Sequence, residues 1–369
     1  MTTVKLGLVG VGRIGQMHAQ NVLAVKERFA ARGVDVRLTV ADVAVDFARQ
    51  VGTELGVGVA ASVDELLAEG LDGLLIATGT ATHPDLIRAG LAAGLPVFCE
   101  KPVASDVASA LPLVREIEAS GGVVQMGHQR RFDAGYLEAK RRYASGELGW
   151  IHGLRAITGD MFPPSVDFLA TSGGLFRDCS VHDFDVLRWL TGQEIVEVVA
   201  RGSNRGDPAI GAVGDVDTAL AMVTLSDGTV GTVSATRYNG AGHDVRLEIQ
   251  GSRDSLMVGL DEATALRSAE VGVRFPEGAP HTTFAQRFHA AYVEELAAFV
   301  ELILGERPNP CTPYDAVAAS LVADAAQLSL RDGAAVVVPD LRRVLDGVAE
   351  PPAAVELVAE SVARDGARG

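Results

Sequence analysis

Apolar residues in the first 126 positions fall into short continuous runs separated by longer stretches with helical spacing. The runs at 5–9, 37–41, 73–77, 96–99 and 123–126 are strand-length and predominantly apolar rather than alternating, as expected of strands covered on both faces. Between them the spacing predicts helices over 14–28, 45–55, 63–69, 84–93 and 107–120. Such alternation predicts a parallel sheet with helices packed on both sides. After residue 127 the rhythm changes. A helix over 134–145 and a strand over 150–158 lead through a Gly- and Pro-bearing loop to a helix over 181–190. Strand-like segments follow at 195–202, 218–225, 229–236, 245–250 and 255–258 with short connections, so this second sheet should be mostly antiparallel. Ser226-Asp227-Gly228 supplies hairpin-turn chemistry between two of them. Helices over 288–304 and 313–331 close the region, and beyond 346 an Ala-, Glu- and Pro-rich stretch is compatible with a short helix over 353–363 or a frayed tail.

The expected architecture is therefore α/β, in two domains over 1–126 and 127–345 followed by a tail over 346–369. A length of 369 residues agrees, because single cores stop growing well below that size. With 48% hydrophobic and 22% charged residues the composition is globular. The net charge of −16, spread along the chain, repels a phosphate backbone and argues against a nucleic-acid partner. Cys99, Cys179 and Cys311 are odd in number and far apart, so neither a zinc site nor a disulfide framework is expected, and no metal is assigned. The N-terminus shows no basic segment leading into an apolar stretch and cleavage site, and no apolar run reaches the roughly 18 residues needed to cross a bilayer. The expectation is a cytoplasmic protein with no membrane partner.

Gly10-Val11-Gly12-Arg13-Ile14-Gly15 stands directly after the first strand and before the first helix. In that place a G-x-G-x-x-G run serves a dinucleotide: Gly10 for the tight turn, Gly12 for close approach of a pyrophosphate, Gly15 for helix–strand packing. The helix start then presents N–H groups to the phosphates. Asp42 ends the second strand, where a carboxylate can accept from the adenosine ribose hydroxyls. It lies further from the glycines than the usual spacing of about 20 residues, which a long first helix or following loop would explain. Val43 and Ala44 offer no cation for a 2′-phosphate, which favours NAD over NADP.

Two further segments carry chemistry. Cys99-Glu100-Lys101-Pro102 ends the fifth strand, and in an open α/β sheet ligands gather beyond the carboxyl ends of the strands. An ammonium at Lys101 can polarise a carbonyl or share the proton of a reacting hydroxyl. In Gly173-Gly174-Leu175-Phe176-Arg177-Asp178-Cys179-Ser180-Val181-His182, Asp178 and His182 are four apart and share a side if the segment is helical. His182 could then take a hydroxyl proton with Asp178 orienting the imidazole. The alternative reading makes Asp178 the N-cap of a helix and His182 a first-turn residue near solvent.

Taken with Ala77-Thr78-Gly79-Thr80-Ala81-Thr82-His83 and Gly127-His128-Gln129-Arg130-Arg131-Phe132-Asp133, these motifs resemble the glucose–fructose oxidoreductase/inositol dehydrogenase (Gfo/Idh/MocA) family over nearly the whole chain up to about residue 345. Within it the chain looks most like the inositol 2-dehydrogenases. The resemblance implies a Rossmann domain followed by an α/β domain built on a large, mostly antiparallel open sheet that mediates homodimers or homotetramers. It implies an NAD-dependent enzyme that oxidises a ring hydroxyl of a cyclic polyol, foremost myo-inositol to its 2-keto form. Lys101, Asp178 and His182 would be catalytic and also bind substrate: His182 the acid/base, Lys101 the group polarising the reacting oxygen, Asp178 the residue holding both. Gly10, Gly12, Arg13, Ile14, Gly15, Asp42, Thr78, Thr80, His83, Glu100, Lys101 and Gln129 would contact the cofactor, with Thr78, Thr80 and His83 near the nicotinamide half. Arg130, Asp160 and Tyr292 would contact substrate. Ala241-Gly242-His243-Asp244 departs from the Tyr-Gly-Tyr-Asp of many inositol dehydrogenases, a loss of two aromatics that reshapes a pocket wall. Other inositol isomers, aldoses or anhydrosugars therefore stay open as substrates. NAD-dependent glycoside hydrolysis and a non-catalytic sugar sensor are the remaining alternatives.

Overall fold

The computed structural model describes residues 2–353, 355 and 357. Helix and strand order follows the expected alternation: β1 (Thr2–Val9), α1 (Arg13–Ala30), β2 (Val34–Ala41), α2 (Val45–Leu55), β3 (Gly58–Val59), α3 (Val63–Ala68), β4 (Gly73–Ile76), α4 (His83–Ala92), β5 (Val97–Glu100), α5 (Val107–Ser120) and β6 (Val124–Gly127). These six strands form one sheet in the order β3-β2-β1-β4-β5-β6, parallel throughout. The order reverses between β1 and β4, the switch point where such sheets take their ligands. Strand β3 is two residues long and escaped the sequence pattern, being too short to show a period.

Local reasons are visible along α1. Its buried positions include Gly15, His18, Ala19, Val22, Val25 and Phe29, one stripe at helical spacing. That stripe joins a core with Leu6, Leu8, Val36 and Val40 from the central strands. The helix runs 18 residues, which accounts for the long separation of Asp42 from the glycines.

The second sheet has seven strands: β7 (Ile151–Gly159), β8 (Ile195–Ser203), β9 (Thr218–Leu225), β10 (Val230–Thr236), β11 (Asp244–Gly251), β12 (Ser255–Val258) and β13 (Val336–Val337). Their order is β12-β11-β7-β10-β9-β8-β13. Only β7 and β10 pair in parallel; the other five pairings are antiparallel, as expected. The β9–β10 hairpin turns where Ser226-Asp227-Gly228 was expected to turn it, with Gly228 at φ +88° and its N–H donating to the Leu225 carbonyl at 2.9 Å. Along β9 burial alternates strictly: Ala219, Ala221, Val223 and Leu225 point inward, and Leu220 and Met222 lie about half exposed on the other face. Helices α6 (Ala134–Ala144), α7 (Val166–Leu169), α8 (Val181–Thr191) and α9 (Pro208–Ala212) belong to the same unit.

Beyond α10 (Phe284–Arg287) the chain rejoins the first unit through α11 (His289–Ile303) and the start of α12 (Pro313–Asp332). The compact units are 1–134 with 288–318, and 135–287 with 319–369, so they interleave along the chain where contiguous domains were expected. The physical reason is that α11 is apolar almost all round: Leu296, Ala297, Phe299 and Val300 complete the core beneath α1. A local period reports that a helix is buried, and is silent about which sheet buries it. The helix considered over 353–363 lies, apart from residues 353, 355 and 357, outside the described residues.

Candidate active site

The glycine turn has three glycines with three different reasons. Gly10 sits at φ +90°, and a Cβ there would meet the Ala77 carbonyl oxygen at 2.8 Å. A Cβ on Gly15 would stand 1.9 Å from the Gly10 carbonyl oxygen, so helix and turn touch backbone to backbone. Gly12 is unlike both: its φ of −62° suits any residue, and a Cβ would meet nothing within 4 Å. Nothing in the protein requires glycine at Gly12, whereas a pyrophosphate lying against the backbone does. Gly12 also begins α1 without a side-chain cap, leaving the helix start open to an anion, and the exposed Arg13 and half-buried Ile14 continue that first turn. These residues fit a dinucleotide.

Asp42 is bound into this turn. Its Oδ2 accepts from the Val11 amide at 2.8 Å and its Oδ1 from the Ala44 amide at 2.9 Å, and the residue stays partly exposed beside the fully exposed Val43. The carboxylate thus ends β2 at a fixed orientation, with lone pairs left for a diol.

At the neighbouring strand ends, Thr78 and Thr82 share a hydroxyl hydrogen bond of 2.7 Å, and Thr80 opens the short helical turn Thr80–Thr82. His83 is buried, with Nδ1 2.8 Å from the Pro102 carbonyl and Nε2 3.2 Å from that of Thr78. It therefore braces the loop after β4 against the loop after β5. Glu100 closes β5 with Oε1 2.6 Å from Nε2 of the buried His18. Burial works against the Glu100 charge, but the His18 hydrogen bond and the neighbouring His18, Lys101 and His83 side chains prevail and hold its carboxyl below the ordinary range. Lys101, half-buried, follows directly.

Behind this strand end the unit holds an unexpected polar interior. Tyr292 is buried edge-on to His18, with ring centroids 5.9 Å apart. Glu295, one turn further along α11, is fully buried; burial and the Glu100 charge push its carboxyl well up, against the pull of the His128 backbone. Gln129 and Arg130 are also buried, in the turn Gln129–Phe132, with the Arg130 guanidinium 5.7 Å from the Phe288 ring centroid. The structure therefore gathers Glu100, Gln129, Arg130 and Tyr292 in one unit and adds His18 and Glu295 to them. A histidine on the apolar stripe of α1 was the one signal that could have flagged His18; an acid on an apolar helix such as Glu295 gave a weaker one.

The second unit carries the other candidates. Gly173 and Gly174, at φ +78° and +94°, turn the chain into a π-helical turn over Phe176–Ser180 that leads straight into α8. Asp178 lies in the π turn and the half-buried His182 in the first turn of α8. The N-cap of α8 is Ser180, and the carboxylate of Asp178 instead accepts from Nη1 of Arg237 at 3.1 Å. Asp160, just past β7, pairs with Nδ1 of His243 at 3.1 Å, and the Cys179 sulfur lies 3.8 Å from both Asp160 Oδ2 and Asp178 Oδ2. Asp160, Asp178 and His243 thus belong to one cluster, with His243 on the segment that departs from Tyr-Gly-Tyr-Asp. None of the three cysteines forms a disulfide.

A parallel nucleotide-binding sheet with this glycine turn, joined to a mixed-sheet α/β unit, defines a two-domain dinucleotide-dependent oxidoreductase. Residues 4–128 match the family model described as an oxidoreductase family with NAD-binding Rossmann fold, and residues 136–257 match the GFO/IDH/MocA C-terminal domain. The chain belongs to the Gfo/Idh/MocA family of NAD-dependent oxidoreductases. It is 37% identical over 325 residues to a myo-inositol dehydrogenase of Streptomyces leeuwenhoekii, covering 86% of this chain and 96% of that one. To the scyllo-inositol 2-dehydrogenase (NAD(+)) of Bacillus subtilis it is 33% identical over 350 residues, 94% and 99% of the two chains. Among solved structures, the scyllo-inositol dehydrogenase of Lactobacillus casei with bound NAD(H) and scyllo-inositol matches with a TM-score of 0.80 at 30% identity, covering 91% of this chain and 99% of that one.

Proposed function

We propose that this NAD-dependent dehydrogenase oxidises a ring hydroxyl of an inositol, foremost myo-inositol to 2-keto-myo-inositol. The observation that carries the reading is full-length likeness to relatives named for that chemistry, at 31–37% identity. Bound NAD⁺ supplies the hydride acceptor, C4 of its nicotinamide. The protein supplies proton handling and orientation. His182 removes the hydroxyl proton as the carbinol C–H leaves as hydride, Lys101 donates to the same oxygen as it becomes a carbonyl, and Asp178 orients the two. Thr78, Thr80 and His83 border the nicotinamide half of the cofactor, Glu100 and Gln129 contact the cofactor as well, Asp42 accepts from its adenosine ribose, and Arg130, Asp160 and Tyr292 read the remaining hydroxyls of the ring. Support for these roles comes from the strand-end place of Lys101, the consecutive turns that carry Asp178 and His182, and the tethering of Asp42 to the glycine turn.

The test is NADH formation across inositol isomers and aldoses with NAD⁺ and NADP⁺ in parallel. An inositol should be the fastest substrate, with NAD⁺ at least tenfold better than NADP⁺ in kcat/KM because the Asp42 carboxylate repels a 2′-phosphate. A panel led by an aldose overturns the substrate. Steady cleavage of a glycoside without NADH accumulation overturns the reaction type.

A homodimer or homotetramer and a cytoplasmic location complete the proposal. The open face of the seven-stranded sheet carries Leu220, Met222 and Val230, each about half exposed, on adjacent strands. Met222→Asp should lower the mass measured by light scattering to that of a monomer while leaving NAD⁺ binding intact; an unchanged mass counts against this face. In support of the location, the described residues contain no helix long and apolar enough to cross a membrane.

A further inference from the structure

Arg237 follows β10 and has a completely buried side chain. Its Nη1 donates to Asp178 Oδ2 at 3.1 Å and its Nη2 to Asp215 Oδ2 at 2.8 Å. Asp215 is itself fixed, because its Oδ1 accepts from the Leu175 amide at 3.0 Å and the Val216 amide at 2.8 Å. The backbone of Arg237 is fixed too, its amide donating to the Asp217 carbonyl at 2.7 Å. A chain of contacts therefore runs from the strand end through a guanidinium to the π turn that carries Asp178.

A guanidinium taken out of water needs countercharge, and Asp215 alone, itself buried, would supply one. The second limb of the fork reaches Asp178, whose side chain keeps 17% of its exposure. Burial by itself would lower the pKa of Arg237, but Cys179, Asp178 and Asp215 outweigh it and raise it, so the cation is permanent. The π turn that carries Asp178 departs from the α-helical pattern, the kind of irregularity that often marks functional sites, and Arg237 is bound to its carboxylate there. A planar fork with two diverging N–H groups meets both carboxylates at once; an ammonium cannot.

We propose that Arg237 is a positioning residue for the dehydrogenase reaction, its guanidinium anchored on Asp215 and fixing the Asp178 carboxylate in the orientation that catalysis uses. The inference rests on the reading of Asp178 as catalytic. It adds to that reading a residue just past β10 and a loop anchor, Asp215, that no motif marks.

The experiment is a double-mutant cycle on the full-length enzyme, with the fastest polyol of the substrate panel. R237K, D178N and the double variant are compared for kcat, KM and NAD⁺ affinity by isothermal titration, with thermal unfolding of each. R237K should lower kcat at least tenfold with KM and NAD⁺ affinity within threefold of wild type. D178N should lower kcat at least as much, and R237K added to D178N should change kcat by less than twofold, since the carboxylate it orients has lost its charge. If R237K does not fold, D215N gives the same comparison, leaving Arg237 and Asp178 in place but releasing the anchor. A kcat for R237K within twofold of wild type, or losses that multiply in the double variant, overturns the positioning role alone. Full turnover by D178N overturns the reading of Asp178 beneath it, and is told apart by that single variant.

Discussion

Lys101→Ala or His182→Ala should lower kcat by about 100- to 10,000-fold, the range that a positioned proton-transfer group contributes, while NAD⁺ binds within threefold of its normal affinity. The separation follows from where the residues lie. Lys101 stands past the end of β5, after Glu100, and the groups fitted to the pyrophosphate and ribose are elsewhere, at the glycine turn and Asp42. His182 is half-buried in the first turn of α8 and belongs to the other compact unit. Truncating either leaves the apolar cores untouched, so unfolding midpoints should move by only a few degrees. Turnover is read by NADH absorbance and binding by titration. Either variant retaining near-normal kcat removes that residue from the chemistry, whereas joint loss of turnover, binding and stability would mark it as structural.

Gly12→Ala is expected to weaken cofactor binding at least tenfold without disturbing the fold, the second large effect. The backbone at Gly12 is extended (φ −62°, ψ −170°), the added methyl meets nothing within 4 Å, and the residue is exposed, so stability should stay within about 0.5 kcal/mol. The methyl points to the space a pyrophosphate would occupy against the backbone, and NAD⁺ affinity should fall at least tenfold. Gly15→Ala is the control with the opposite profile. Its Cβ would be 1.9 Å from the Gly10 carbonyl oxygen, a contact the backbone must move to relieve, at a cost of about 1–3 kcal/mol or more. Denaturant unfolding and NAD⁺ titration on both variants separate the two. Equal NAD⁺ affinity in Gly12→Ala and wild type would mean that the dinucleotide does not approach this turn.

The dinucleotide site was legible in the chain because it is local. Gly10, Gly12 and Gly15 lie within six residues, and their spacing encodes a turn and a helix start whatever else the protein does. The place of Lys101, just past β5, was legible because the end of an apolar run in an alternating pattern marks a strand end of the parallel sheet. Arg237, Asp215, His18 and Glu295 were not. None belongs to a local motif, and the meaning of each comes from a partner 22 to 195 positions away: Asp215 and Arg237 for one another, Glu100 for His18 and Glu295.

What the chain determined unaided was everything carried by short-range periodicity and turn chemistry: two sheets of opposite character, their longer strands and helices, and the glycine turn. Burial on a helix or strand face repeats every few residues, so it leaves a trace in the order of the amino acids. Tertiary structure alone decided that α11 packs under α1, that Glu100 is held by a buried histidine, and that the π turn of Asp178 is tied to Arg237. Those outcomes depend on side chains meeting across space, where desolvation and charge pairing choose between arrangements that are identical to any local reading.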